Sequence, residues 1–107
     1  MRLDSIEVTN KAGSGHPTSC ASIAELFAIL FFHPSGMKYN INQVDHFHSD
    51  RLILSKGHAA PILFSAWMEA GYFTKEEFLT MREFTSRLEG HPTPILPFVD
   101  VATGSLG

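Results

Sequence analysis

A histidine directly follows a glycine at three places in this chain of 107 residues: Gly15-His16, Gly57-His58 and Gly90-His91. Each pair falls outside a predicted helix or at its edge, so we expect all three histidines on loops or helix starts. A histidine with an ordinary pKa of about 6.5 is mostly neutral at pH 7, and its ring donates one hydrogen bond and accepts another. This chemistry suits contact with phosphate or hydroxyl groups.

The neighbours of these histidines support that interpretation. His16 and His58 precede predicted helices, whose positive N-terminal ends favour a neutral imidazole and attract anions. Proline follows His16 and His91 and disfavours the helical conformation for the residue before it, which predicts extended backbone at both. The alternative is that these histidines only face solvent or cap helices, and composition alone leaves both interpretations open.

The last eight residues, DVATGSLG, form another candidate site. A short apolar run gives way here to a glycine loop around Gly104 and Ser105, of the kind that lets backbone N–H groups approach a ligand. Loops of this kind usually lead into a helix whose N-terminus helps to hold an anion.

Other site chemistries find less support in the sequence. The segment 45–50, DHFHSD, contains metal-ligand residue types, but a polar loop explains it better and no zinc-like spacing is present. We therefore predict no metal ligands in the chain. Ser19 and Cys20 have no evident paired base, so nucleophilic catalysis is not indicated.

Composition excludes several classes of partner. The net charge is −3, the calculated pI is near 6.0 and no cluster of Lys and Arg occurs, which argues against nucleic-acid binding. The most apolar run, residues 23–32, is shorter than the roughly 20 residues that span a bilayer, so no membrane partner is expected. A single cysteine fits a reducing compartment, and we expect a cytoplasmic protein.

Four helices are predicted from apolar spacing and end signals. The first contains Leu3 and ends at Gly13. The second covers residues 22–33 and opens on a capping box at Ser22. It has almost no polar face, so we expect it to be buried, with cover on several sides. The third has Pro61 in its first turn and ends at Gly71, and the fourth begins at a Thr74 capping box.

Two short apolar runs, residues 51–54 and 98–102, are candidate strands, the second of them strand or loop. The predicted class is therefore α/β and helix-rich. One or two short strands do not make a stable sheet, so we expect an incomplete sheet that belongs to a larger fold.

The chain resembles the N-terminal part of transketolases, and the resemblance is carried by four segments in family order: RLDSIEVTNKAGSGHPTSCASIAEL, DRLILSKGHAAPILFSAWMEAGY, LEGHPTP and DVATGSLG. These segments are most similar in sequence to animal enzymes or to the N-terminal halves of split transketolases. This resemblance implies a helix-rich part of a thiamin-diphosphate-binding fold. It also implies transfer of a two-carbon ketol unit from a ketose phosphate to an aldose phosphate in the pentose phosphate pathway.

The resemblance also implies roles for individual residues. His16 would contact the donor sugar and assist proton transfer, and His91 would hydrogen-bond a hydroxyl of the transferred unit. The residues implied to bind thiamin diphosphate are Ser19, His58, Gly104, Ser105 and Leu106.

Family members continue from this loop into a helix and a GDG segment with a downstream asparagine, which bind Mg²⁺ and the diphosphate. A glutamate from the partner subunit of a homodimer completes their site. Neither occurs in these 107 residues, so we expect Mg²⁺ ligands outside this chain and a fragment that is not active alone. Two alternatives stay open: a non-catalytic product that binds full-length subunits, and a plain helical domain whose histidines are structural.

Overall fold

Helices provide the regular structure of residues 1–104, the part of the chain that the computed structural model describes. In chain order they are α1 (Arg2–Ala12), α2 (Pro17–Ser22), α3 (Ala24–Phe32), a short 3₁₀ turn (Gly57–Ala59), α4 (Ala60–Glu69) and α5 (Lys75–Phe78). Residues 33–56 and 79–104 form connections without helix or strand. The helix-rich part of the predicted class is confirmed.

α1 ends where the sequence predicts. Gly13 takes a left-handed conformation, φ 63°. Its N–H donates to the carbonyl of Asn10 and the N–H of Ser14 donates to that of Thr9, which closes the last turn. The helix packs against α2 and α4. Its Asp4 accepts hydrogen bonds from Ser65 of α4, at 3.0 Å, and from Lys75 of α5, at 2.6 Å, so one carboxylate joins three helices.

The predicted second helix is in fact two helices, and its start was wrong. Pro17 opens α2 because its fixed φ suits the first turn, so helical structure begins earlier than residue 22. Ile23, at φ −116° and ψ 8°, separates α2 from α3. Ser22 ends α2, and its hydroxyl donates to the carbonyl of Ser19 at 2.9 Å, so the capping box predicted at Ser22 is absent.

α3 is covered on one side only within residues 1–104. Phe27 and Phe31 are buried, and the Phe31 ring lies 5.1 Å from that of Trp67 in α4. Leu26 and Ile29, on the other side, are 55% and 57% exposed, so residues 1–104 supply only part of the cover that was predicted for this helix. No helix in these 104 residues is long and apolar enough to cross a membrane.

α4 forms the centre of the core. Every residue from 60 to 67 is buried, and α1, α2, α3 and α5 all pack against this helix. The chain turns away after it at Gly71, φ 94°, as predicted. Thr74 caps α5, because its hydroxyl accepts from the N–H of Glu77 at 3.2 Å.

Neither predicted strand is a strand in the described residues, but the two segments lie side by side in parallel order. Arg51 pairs with Asp100 at 2.9 Å, and the Thr103 hydroxyl donates to the carbonyl of Leu54 at 2.6 Å. These are side-chain contacts, and no main-chain hydrogen bond joins the two segments within residues 1–104. The sheet is therefore not confirmed, because a strand requires a main-chain ladder with a neighbour.

Candidate functional site

The three Gly-His pairs meet in space. The rings of His16 and His58 lie with their centroids 4.6 Å apart and their planes at 81°. The ring of His91 lies on the other side of His58, 5.1 Å away and at 78°. Residues 42 and 33 positions apart in the sequence thus form one row of imidazoles, with His58 in the middle.

Different elements hold each ring in this row. His16 is the N-cap of α2, with non-helical backbone at φ −126° as the following Pro17 requires. His58 occupies the 3₁₀ turn that leads into α4. His91 lies on the connection after α5, between Gly90 and the buried Pro92. The row is therefore anchored to the core through α2 and α4.

Two glycines bring the backbone close to the row. A Cβ placed on Gly104 would lie 2.5 Å from the Cα of Gly57 and 2.6 Å from Cδ2 of His91. A Cβ on Gly57 would likewise overlap the carbonyl of Thr103 and lie 2.6 Å from Gly104. Gly104 also has φ 93°, which L side chains rarely adopt. Both positions therefore require glycine: Gly57 for the close approach, and Gly104 for the close approach and its backbone conformation.

His91 has a buried polar atom. Its Nε2 is inaccessible to solvent and has no hydrogen-bond partner among residues 1–104. Burial lowers the pKa of His91 below its ordinary value, and the nearby charges of His58, Arg82 and His16 lower it further. The ring is thus held neutral, which leaves it able both to donate and to accept a hydrogen bond.

Two grooves border His91. One, of about 310 Å³, is lined by residues that include Thr93, Thr103 and Gly104. The other, of about 440 Å³, lies on the side of Arg82 and Gly90. Ligand atoms that reach either groove can contact the edge of the His91 ring.

Of the remaining predicted site residues, Ser19 is the one that the structure describes. Ser19 is half-buried in α2, one turn after His16. Ser105 and Leu106 lie outside the described residues.

In the described part of the chain, no group of three or more His, Cys, Asp or Glu side chains has a metal-binding arrangement. The segment 45–50 is an exposed loop in which the Phe47 and His48 rings pack together, with centroids 3.8 Å apart.

Two residues at the site carry no signal in the sequence. Thr103 reaches across to Leu54 and holds the Gly104 backbone against Gly57. Arg82 lies against Gly90, in a left-handed conformation at φ 69°. Both act through contacts between distant segments, so neither spacing nor residue type identifies them.

Comparison with known proteins identifies a family for these residues. The family described as "Transketolase, thiamine diphosphate binding domain" matches residues 1–107. Human transketolase is 54% identical over 107 residues, which is 100% of this chain and 17% of that protein. The chain thus spans about a sixth of the length of that relative.

Solved structures give the same result. A transketolase from Leishmania mexicana superposes with a TM-score of 0.89 at 32% identity, over 99% of this chain and 16% of that one. A transketolase from Pichia stipitis in complex with sedoheptulose 7-phosphate gives a TM-score of 0.78 at 31% identity, over 99% and 16% of the two chains.

Proposed function

Because the chain belongs to the transketolase family, we propose that it forms one wall of a thiamin diphosphate site in an enzyme of the pentose phosphate pathway. The enzyme would transfer a two-carbon ketol unit from a ketose phosphate to an aldose phosphate. The observation that supports this most directly is the convergence of His16, His58 and His91 beside the Gly57–Gly104 contact.

The residues present fit thiamin diphosphate in two respects. Gly57 and Gly104 pack bare backbone beside the histidines, where neither position has room for a Cβ. The buried Nε2 of His91 has no partner among residues 1–104, so a polar ligand group would satisfy it. We assign His58 and the loop of Gly104, Ser105 and Leu106 to the cofactor, with Ser19 close by.

Bound thiamin diphosphate would supply the carbanion chemistry that transfer of a ketol unit needs. His58, at the start of α4, would donate to a diphosphate oxygen, where the helix end also favours negative charge. His91, held neutral, would hydrogen-bond a hydroxyl of the transferred unit and fix its orientation. His16, exposed at the open end of the row, would contact the donor sugar and assist proton transfer near its reacting carbons.

The proposal extends to groups that these 107 residues do not supply. Mg²⁺ would neutralise the diphosphate through ligands outside this chain, and the working enzyme would be a cytoplasmic homodimer. The substrates would be sugar phosphates, as in the sedoheptulose 7-phosphate complex of the Pichia stipitis enzyme. The 107 residues alone would not catalyse transfer.

The experiment is an activity assay on the full-length product of the gene. The protein is freed of cofactor by dialysis against a chelator, then titrated with thiamin diphosphate in the presence and absence of Mg²⁺. We expect transfer from a ketose phosphate to an aldose phosphate only when both are present. Thiamin without the diphosphate is the matched control and should not restore transfer. Absence of cofactor-dependent transfer would contradict the proposal.

A further inference from the structure

Arg82 has an unusual backbone conformation. Among residues 1–104 it is the only non-glycine residue with a positive φ, at 69°. This left-handed conformation is unfavourable for a side chain with a Cβ, so the surrounding structure must maintain it. The N–H of Arg82 donates to the carbonyl of Leu88 at 2.8 Å, which closes the turn before Gly90.

The guanidinium of Arg82 lies against the backbone of Gly90. A Cβ placed on Gly90 would lie 2.7 Å from Nη2 and 2.8 Å from Cζ and Nε. Gly90 is not among the glycines with positive φ, so its conformation does not require glycine. A Cβ at the position before His91 would therefore require the Arg82 guanidinium to move.

The same guanidinium also reaches the first histidine loop. Its Nη1 donates to the hydroxyl of Ser14 at 2.7 Å, across 68 positions of the sequence. Ser14 directly precedes Gly15-His16, and Gly15 is itself packed against Thr9, with no room for a Cβ. One side chain thus contacts the residue before Gly15-His16 and the residue before His91.

We infer that Arg82 is a positioning residue, which ties the loop of His91 to the loop of His16 and so sets the spacing of the imidazole row. A planar guanidinium can serve both loops at once, because its nitrogens point in fixed and different directions. The inference rests on the proposed function only in assigning the spaced histidines to cofactor and substrate. The contacts themselves are tested without cofactor or substrate.

The test follows each histidine separately in the full-length product of the gene, without ligand. The ring C2–H of histidine exchanges slowly with deuterium, at a rate that depends on the ring's pKa and exposure, and mass spectrometry of peptides resolves the rate for each residue. The charged and titratable groups around the ring of His91 are His58, His16 and Arg82, with Glu83 and Glu89 on the adjoining grooves.

Arg82→Gln removes both the charge and the planar guanidinium, whereas Arg82→Lys keeps only the charge. Neither glutamine nor lysine is glycine, so both variants keep the backbone strain at position 82. We expect exchange at His91 to quicken about two- to fivefold in both variants, as loss of one modest hydrogen bond would give. The midpoint pH of His91 exchange should rise in Arg82→Gln and stay near the wild-type value in Arg82→Lys.

Gly90→Ala disrupts the contact between Arg82 and Gly90 from the glycine side. Its added Cβ would displace the guanidinium, so exchange at His91 should quicken as it does in Arg82→Gln. Combined with Arg82→Gln it should add nothing further, because the space is then free. Arg87→Gln is the matched control, since that guanidinium pairs with Glu77 at 2.6 Å, lies over the ring of Tyr72 and donates to no atom of either histidine loop within residues 1–104.

Two results would overturn the inference. One is wild-type exchange at His91 in Arg82→Gln, or equal quickening in Arg87→Gln. The other is full additivity of Arg82→Gln and Gly90→Ala. A wild-type protein that shows no cofactor-dependent transfer would count against the proposed function and not against these contacts.

Discussion

The ring of His91 meets the ring of His58 edge to face, with centroids 5.1 Å apart and planes at 78°. One ring stands at the start of α4 and the other on an irregular connection 33 residues later. The backbone of Gly104 lies against both, since a Cβ there would meet Gly57, the residue before His58, and the ring of His91. A single packed unit thus joins the residue that we assign to the cofactor with the residue that we assign to the substrate.

The two rings should have separable roles. His58→Ala should weaken thiamin diphosphate binding about 10- to 100-fold, the value of a hydrogen bond to a charged group. His91→Ala should lower turnover at saturating cofactor about 100-fold, because it removes a contact to the reacting unit. Calorimetric titration and steady-state kinetics of the full-length product measure the two effects.

His48→Ala is the control for these two variants, since His48 is exposed on the loop of residues 45–50. It should leave both cofactor affinity and turnover unchanged. Weaker cofactor binding in His91→Ala together with lost turnover in His58→Ala at saturating cofactor would reverse our assignment.

Alanine at Gly104 should destabilise the fold. The added Cβ would carry left-handed strain of about 1–2 kcal/mol, and its overlap with Gly57 and His91 would cost about 1–3 kcal/mol more. Gly71→Ala separates the two contributions, since Gly71 has φ 94° and no atom within 4 Å of an added Cβ. Denaturant unfolding should therefore show a larger loss for Gly104→Ala, and equal losses would contradict the close approach.

The lowered pKa of His91 predicts a pH dependence of stability. The folded protein keeps the ring neutral where the unfolded chain, with a pKa of about 6.5, already binds a proton. Its contribution is complete above about pH 6.5 and is lost as the pH falls through the lowered folded pKa.

His91→Gln removes this titration without removing the ring's hydrogen-bonding capacity entirely. The free energy of unfolding of the wild type, measured against this variant, should therefore rise with pH below about pH 6.5. A difference between the two proteins that is constant from pH 5 to pH 7 would show that the pKa of His91 is not lowered.

Asp4 also predicts a loss of stability at acid pH, but here because the folded protein favours the charged form of the group. Burial alone would raise its pKa, but hydrogen bonds from Lys75, the amino group of Met1 and Ser65 outweigh burial and hold the pKa well below its usual range. Asp4→Asn should cost about 1–3 kcal/mol of stability at pH 7. This cost should shrink as the pH falls below about 4, where the unfolded carboxylate is protonated.

Glu7→Gln is the matched control for Asp4→Asn. Its carboxylate also pairs with Lys75, at 2.7 Å, but is 52% exposed. Urea unfolding should give a loss below about 1 kcal/mol for this variant. Equal losses for the two variants would show that Asp4 does not join the helices as described.

Local signals in the sequence predicted the helix ends well. Gly13, Gly71 and Thr74 act through their own backbone or side chain, so the residue type alone predicts a helix end or cap. The break at Ile23 was missed because an isoleucine carries no stop signal and the apolar spacing continues through it.

The strands and the assembly of the site were less predictable for a different reason. Residues 51–54 and 98–102 have strand-like composition, but a ladder depends on neighbours that no single segment determines. The three Gly-His pairs were recognisable, whereas their meeting depends on α2 and α4 packing and on Arg82, which joins segments 68 positions apart. Resemblance to a family supplied the roles that periodicity could not.

The central claim is that His58, His91 and the Gly57–Gly104 contact form one wall of the cofactor site. A crystal structure of the full-length protein with thiamin diphosphate, Mg²⁺ and a ketose phosphate tests it most directly. We expect a ring nitrogen of His58 within about 3.2 Å of a diphosphate oxygen, and Nε2 of His91 within the same distance of a substrate hydroxyl. A cofactor bound away from these residues, with no contact to His58, would contradict the claim.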